Sequence, residues 1–518
     1  MAGVAGTAAR ATSPLLPLLF LGLLAATQGA DPNISSSALL TAGKALDMGT
    51  LSALAASIST FVLAATVITT GMMADRLGRR KVLIAALILS AIGDLLVALA
   101  PGTTEYLLGR AIAGIGLGAV FGASFAYIKV FATGKGGLPA ALGIFGASSG
   151  LFTLLITFAG SSLVGVDWRL SFVVIPILCT LSALIALALL PKDGPRPTSQ
   201  GPWDVTGQIL LGLGIITFLY GVSHATNGVT TPLTVIPVVI GLIILALFAL
   251  WERRKGEDGF FPIRLFREPI FIAAVLIGLV YNFSSGVLLL SFSNLFQYAN
   301  NLSGLSLSLM QVPYLLAGVI AALVVGRMRG AGRITQRGAV LIGTIIAVSG
   351  FGLFALTAIS RPSNVLYFLP ALLITGIGVI MPSIPYGGLF LQEADPQHYG
   401  AVSSSRTTVG QFWYALGLAG STVLIDGLTR TAVGEKLGPA AQQELLQWSA
   451  TGGKPSNPDV LKDAAYAYSG AFAVTMIVFA AVVVVAGIVA WALLKRFQHA
   501  DPPHTTDAHP PAGASAPA

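Results

Sequence analysis

Apolar runs long enough to cross a bilayer alternate along this chain with short polar connections. An α-helix needs about 20 predominantly apolar residues to span the hydrocarbon core. The first run covers Leu15 to about Ala38. The others fall near 50–74, 82–100, 104–128, 138–164, 168–190, 205–223, 231–251, 269–298, 304–326, 337–360, 365–391, 399–425 and 465–494. The pattern predicts an all-α polytopic membrane protein of 14 spans, and the even count puts both termini on one side. The first run has a second reading. Arg10, then Leu15 to Leu24, then small residues before Asp31, also fits a cleaved signal peptide.

Composition agrees with burial in lipid. Of 518 residues, 55% are hydrophobic and 10% charged, with mean hydropathy +0.83; soluble domains carry about a quarter charged residues. The net charge of +8 would suggest a nucleic-acid partner in a soluble protein. Here the cations sit in short loops and report orientation instead, so no nucleic acid is expected. Most of the 29 cations fall on one side of the predicted membrane, which makes that side cytoplasmic. One cysteine, Cys179, excludes an intrachain disulfide and a thiolate metal cluster. No phosphate-binding Gly-x-x-x-x-Gly-Lys-Ser/Thr loop is present. Work done by the chain therefore draws on an ion gradient, with no cofactor and no enzymatic activity expected.

Between spans 2 and 3 lies a charged island, Gly71-Met-Met-Ala-Asp75-Arg76-Leu-Gly78-Arg79-Arg80-Lys81. Its glycines permit a close helix approach and a tight turn, and Asp75 gives the cations an internal partner. The spacing resembles the signature between helices 2 and 3 of the major facilitator superfamily. Asp31, Ile34, Ala38 and Leu39 resemble helix 1 of its fourteen-helix drug:proton antiporter branch, which favours a retained first helix. Leu107-Leu-Gly-Arg110-Ala-Ile-Ala113-Gly114-Ile-Gly116 resembles the helix 4 motif, with Ala113 in place of the family's Gln. Gly143, Gly146, Gly150 and Gly160, followed by Asp167-Trp168-Arg169, resemble the antiporter motif. Its central Gly-Pro is Ile156-Thr157 here, which weakens the inference of export. The segment Gly259 to Phe271 resembles the loop before helix 9 of the fourteen-helix branch.

The resemblance implies a major facilitator fold of two six-helix bundles plus two inserted helices. A parallel repeat is expected of it, and Gly326 to Arg333 with Gln336-Arg-Gly follows span 10 as a degraded copy of the island. The implied division is a cytoplasmic N-terminus at 1–13, an N-terminal bundle at 14–192 and inserted helices 7 and 8 at 193–255. A C-terminal bundle at 256–498 follows, with an extracellular loop at 429–464, then a disordered cytoplasmic tail at 499–518. Within the loop, Pro439 to Trp448 has helix-forming composition.

Charges inside a bilayer are expensive and mark function by default. Asp31, in the outer half of span 1, precedes Pro32, which removes a helix hydrogen bond. Asp94 in span 3 reads either as a second protonation site or as a carboxylate bonded between helices. An Arg beside an Asp favours the ionised carboxylate and burial disfavours it. Arg110, a proton relay by resemblance, therefore joins Asp31 and Asp94 as the proton-coupling and substrate set. Gly71, Asp75, Arg76, Gly78, Arg79 and Arg80 are the expected conformational latch. Arg406, near the start of span 13, stands where the family has uncharged residues; a cytoplasmic gate or interface role is expected. Gly410 follows where the family often has Arg, and Gln411 retains its Gln.

Polar and aromatic side chains of the second half are the candidate cavity lining. Tyr281, Asn282, Phe292, Asn294, Phe296 and Gln297 come from span 9. Gln311, Tyr314, Met381 and Tyr386 follow, then Gln411, Phe412, Trp413 and Tyr414 beside Arg406. Such a lining suits large amphiphiles, with cation–π attraction for positive ones. The whole implies a monomeric transporter of the bacterial cytoplasmic membrane, exporting hydrophobic or cationic small molecules in exchange for protons by alternating access. Other readings stay open: a same-fold exporter of a lipid or natural product, a nutrient importer, or a non-transporting receptor or scaffold.

Overall fold

A computed structural model describes residues 15–48, 51–132, 137–193, 203–256, 259, 261, 263–300, 302, 304–392, 399–451 and 458–495. The expected terminal segments 1–13 and 499–518 lie outside the described residues.

Among these residues there are 14 helices long and apolar enough to cross a membrane. They are α1 Leu15–Ala45, α2 Ser52–Leu77, α3 Arg79–Ala98, α4 Thr103–Phe131 and α5 Gly137–Leu163. α6 comprises Trp168–Ser171 and Val174–Leu189, followed by α7 Val205–Ser223 and α8 Pro232–Lys255. α9 runs as Pro269–Gly278, a π turn at Leu279–Phe283, and Ser284–Asn300. α10 Gly304–Gly330 and α11 Gln336–Ser360 precede α12, which is interrupted between Leu369–Ile380 and Ser383–Gln392. α13 Tyr399–Leu437 and α14 Pro458–Lys495 close the chain.

The first half packs around α4, whose glycine and alanine positions let α1, α2 and α3 approach. The second half packs around a chain of rings, Phe292, Phe296, Phe354 and Phe368. α7 and α8 form a hairpin laid against α2 and α13, with Phe218 of α7 stacked on Phe412 at 5.4 Å. Leucines and isoleucines along the outside of α8, such as Leu233, Ile236 and Leu247, are exposed, as a lipid-facing helix requires.

Three helix ends stand out against the hydropathy reading. α1 does not end near Ala38 but continues through Pro32 to Ala45. α13 and α14 extend into both ends of the expected extracellular loop at 429–464, and the helix expected from the composition of Pro439 to Trp448 lies between them. α13 ends only at Leu437, a short helix covers Pro439–Thr451, and α14 starts at Pro458. The apolar window misses these turns because they form a small core of their own, from Val433, Ala441, Leu445, Val460 and Ala464. An exposed ion pair, Lys436 to Asp463 at 2.6 Å, lies beside it.

Candidate functional site

Three helices bring Asp31, Asp94 and Arg110 together. Gly93 precedes Asp94 and packs so closely on α4 that an added Cβ would meet the Ala113 backbone nitrogen at 2.3 Å. That approach carries Asp94 of α3 to Arg110 of α4. Arg110 Nη1 and Nη2 donate to Asp31 Oδ1 and Oδ2 of α1 at 2.5 and 2.9 Å, a two-pronged pair. Nη1 also donates to Asp94 Oδ1 at 3.3 Å, and Ser59 of α2 donates to Asp31 Oδ2 at 3.1 Å. The Phe172 ring covers the guanidinium at 5.6 Å and packs edge-on against Tyr106, which also meets Trp168.

All three charged side chains are sealed: Asp31 is 2% exposed, Asp94 0% and Arg110 1%. The cluster therefore lies in packed protein in this conformation, and not on an open vestibule. Both carboxylates contact the Arg110 guanidinium, which brings the three residues expected to form the proton-coupling and substrate set into one cluster. Pro32 does not break the helix here, because α1 is enclosed by its neighbours on both sides of Asp31. Asp94 Oδ2 and Arg110 Nε are buried without a hydrogen-bond partner among the described residues.

The island turns as its spacing requires. Gly78 has φ of 105°, in the region that favours glycine, and Asp75 pairs with Arg79 at 3.1 Å across one helical turn. Gly71 is buried within α2. Arg80 donates to the Leu187 carbonyl, and Arg76 lies over the Trp203 ring at 4.7 Å. Asp193 accepts the backbone N–H groups of Arg80 and Lys81 at 2.9 and 3.3 Å, capping α3 from a distant segment. Hydropathy gave no reason to single out Asp193; the only sequence signal was an acid standing among the cations after span 6.

At the island end the two halves touch. Gly143 of α5 meets Gly326 of α10 so closely that a Cβ at Gly143 would lie 2.8 Å from the Gly326 Cα. Gly146 and Gly150 continue this contact against Ala322 and Val319, whereas Gly160 faces Ile34 of α1. Three of the four antiporter-like glycines, Gly143, Gly146 and Gly150, thus line the seam between halves. Arg406 of α13 crosses the same seam, with its guanidinium 4.0 Å from the Phe125 ring and 5.6 Å from Phe121, both on α4. Tyr386 of α12 lies 5.0 Å away on the other side and donates its hydroxyl to the Arg406 carbonyl. The sequence reading placed Arg406 at an interface but missed Phe121 and Phe125, an i, i+4 pair that reads as lipid-facing apolar surface.

The expected cavity lining divides. Phe292 and Phe296 are fully buried in the ring core, and Tyr314 packs on Phe292 at 5.7 Å; these are corrected from cavity to core. Periodicity alone does not tell which face of an aromatic helix turns inward. Gln311 donates to Ser293 at 2.9 Å, and Trp413 donates to the Val275 carbonyl at 3.0 Å. Both polar groups are therefore used within the second half. Met381 is buried at the seam with Phe125 and Leu142. Tyr281 and Asn282 stand on the π turn of α9, Tyr281 6.3 Å from Tyr386 and Asn282 beside Gly410. Asn294, Gln411, Phe412 and Tyr414 are half-buried, and the Gln297 side chain lies outside the described residues.

The sequence model described as Major Facilitator Superfamily matches residues 1–418. A protein named multidrug resistance protein B homolog, from Mycobacterium tuberculosis strain CDC 1551 / Oshkosh, is 30% identical over 398 residues, covering 73% of this chain and 70% of that protein. The puromycin resistance protein pur8 of Streptomyces alboniger is 28% identical over 369 residues, covering 69% and 71%. Among solved structures, a proton:xylose symporter superposes with a TM-score of 0.57 at 12% identity, over 94% of this chain and 96% of that one. That last likeness concerns fold alone.

Proposed function

The chain belongs to the major facilitator superfamily, and from that premise we propose that its Asp31, Arg110 and Asp94 cluster carries the proton that drives drug export. It is a multi-pass membrane transporter of the multidrug-efflux type, as its antibiotic-resistance relatives are. Its fold and family are those of transporters and not of enzymes.

The observation that carries the proton assignment is the imbalance of the cluster: two carboxylates share one guanidinium, and Asp94 Oδ2 is buried without a hydrogen-bond partner among the described residues. A buried, unpaired charge is costly enough that the group takes up a proton instead. Asp31 makes the two-pronged pair with Arg110, and Asp94 is the carboxyl that carries the proton. The cluster is then neutral. Releasing that proton leaves one net negative charge in the hydrocarbon, so release is tied to a conformation that admits water. Rocking of the halves about the Gly143–Gly326 seam supplies the opening.

The transported species is an amphiphilic small molecule, the energy source is the proton gradient, and the functional unit is a monomer in the bilayer. The loop cations support a bacterial cytoplasmic membrane with both termini inside. The test is transport by purified protein in liposomes: an imposed pH gradient should move ethidium against its own gradient, with protons moving the other way. Ethidium flux that ignores the pH gradient overturns the proton assignment.

A further inference from the structure

At the end of the molecule opposite the island, a cavity of about 280 Å³ opens between α9, α11, the turn leading into α12, and α14. Its inner wall is apolar and buried, made by Leu295 of α9, Ala358 of α11 and Phe368 before α12. Two exposed cations stand at its mouth, Arg361 after α11 and Lys462 on α14. Arg361 holds a left-handed backbone, with φ of 48°, where it ends α11. Glycine adopts that conformation without strain and arginine does not. Backbone preference alone therefore favours glycine at 361, yet the chain carries a long cation there, turned over α14.

The Arg361 guanidinium lies over the Tyr466 ring at 3.0 Å. Stacking of this kind uses the face of the guanidinium and leaves its N–H edge for acceptors in its plane. Lys462 stands one turn before Tyr466 on α14, so both cations serve the same mouth. The sequence sets the sign of the site: residues 269–392, which cover α9 to α12, contain no Asp or Glu. On α14, Asp463 pairs with Lys436, and Asp459 is the other acid close to Lys462 in sequence. The group that complements the mouth is an oxyanion, and the apolar inner wall suits the carbon attached to it. Tyr466 and Tyr367 are exposed beside the mouth, and Ile359 of α11 with Val474 and Ile477 of α14 are exposed along the adjoining helix faces. Exposed tyrosines mark headgroup depth in a bilayer, and the aliphatic strip beyond them faces the acyl chains.

We propose that this pocket binds the phosphate-bearing headgroup of an anionic phospholipid, held between Arg361 and Lys462, with its acyl chains on the outer faces of α11 and α14. A phosphodiester offers two free oxygens to the guanidinium fork and the ammonium. A zwitterionic headgroup brings its own cation toward Arg361 and Lys462, so the site prefers a headgroup of net negative charge. The lipid is a resident ligand and not cargo. Its pocket lies within the second half, at the opposite end from the Gly143–Gly326 seam, and the assignment does not depend on the export reading.

The experiment attaches a fluorophore through Ser363→Cys, an exposed position next to Pro362 of the pocket; Cys179 is buried and stays unlabelled. The full-length protein is reconstituted in phosphatidylcholine bilayers. Quenching is then followed as phosphatidylglycerol or phosphatidylcholine, each carrying a nitroxide high on one acyl chain, is added. The labelled protein should favour phosphatidylglycerol at least about tenfold, the scale of one charge-assisted contact. Arg361→Gly, which suits the backbone, and Lys462→Gln should each lower that preference and together bring it to near unity. Arg361→Lys should keep part of it. Equal quenching by the two lipids without either substitution overturns the proposal, so a misfolded variant does not rescue it. A preference that survives the double substitution overturns it too. If inorganic phosphate equimolar with phosphatidylglycerol relieves the quenching, the pocket takes free phosphate and the lipid assignment fails.

Discussion

Nη1 of Arg110 serves two carboxylates at once, Asp31 Oδ1 at 2.5 Å and Asp94 Oδ1 at 3.3 Å. The short contact belongs to the acid that also binds Nη2, and the long one to the acid whose second oxygen has no partner among the described residues. The two aspartates are therefore not equivalent. Replacing Asp31 by Asn breaks a buried two-pronged ion pair, a change that costs about 3–5 kcal/mol. If Asp94 holds the proton as proposed, replacing it by Asn exchanges a neutral carboxyl for a neutral amide of nearly the same shape, at a cost of about 1 kcal/mol. Thermal unfolding in nanodiscs should place Asp31→Asn well below Asp94→Asn. The reverse order would mean that Asp94 holds the charge.

The same asymmetry separates coupling from cargo movement. An amide cannot release a proton, so Asp94→Asn should lose uphill ethidium transport driven by a pH gradient, by at least about tenfold. Exchange of labelled for unlabelled ethidium across the membrane, which needs no net proton movement, should persist in that variant. Asp31→Asn should abolish uphill efflux while the protein remains folded in detergent. Normal uphill transport by Asp31→Asn removes that residue from the mechanism, and normal uphill transport by Asp94→Asn removes the proton from Asp94.

Packing at the seam gives a third expectation. A Cβ at Gly143 would lie 2.8 Å from both the Ala322 carbonyl oxygen and the Gly326 Cα, and neither backbone atom can move aside alone. Gly143→Val should wedge the island ends of α5 and α10 apart and disfavour the closed arrangement. Spin labels placed on exposed positions at that end of α5 and α10 should report a longer mean distance than in the wild type, and transport should fall at least about tenfold. An unchanged distance would show that α5 and α10 separate elsewhere in the cycle.

Much of this was legible in the chain, for identifiable reasons. Span positions follow from hydrocarbon thickness, and intramembrane acids are rare enough that Asp31, Asp94 and Arg110 declared themselves. Their meeting was not legible, because it depends on how closely α3 approaches α4 at Gly93, a tertiary fact. Phe292 and Tyr314 were misplaced for the opposite reason: an aromatic ring suits a core and a cavity equally, and only the packing of Phe354 and Phe368 decides between them. Asp193 went unnoticed because a long-range cap has no sequence spacing. The ends of α13 and α14 were missed because polar turns that leave the membrane stay helical when they have a small core to rest on.

Asp193 and Gly78 supply the last expectation. Gly78 has φ of 105°, and a Cβ there would also lie 2.4 Å from Asp193 Oδ2. Gly78→Ala therefore suffers twice, from the left-handed backbone at about 1 kcal/mol and from displacing the carboxylate that caps α3. Asp193→Ala alone loses the cap, worth about 0.5–2 kcal/mol. In the double variant the displaced carboxylate is already gone, so only the backbone strain is added to the lost cap. The double variant should be less destabilised than the sum of the two single ones, by an amount close to the cap itself. A thermal-unfolding cycle of the four proteins measures this coupling. Strict additivity would mean that Asp193 holds α3 without leaning on the island's turn.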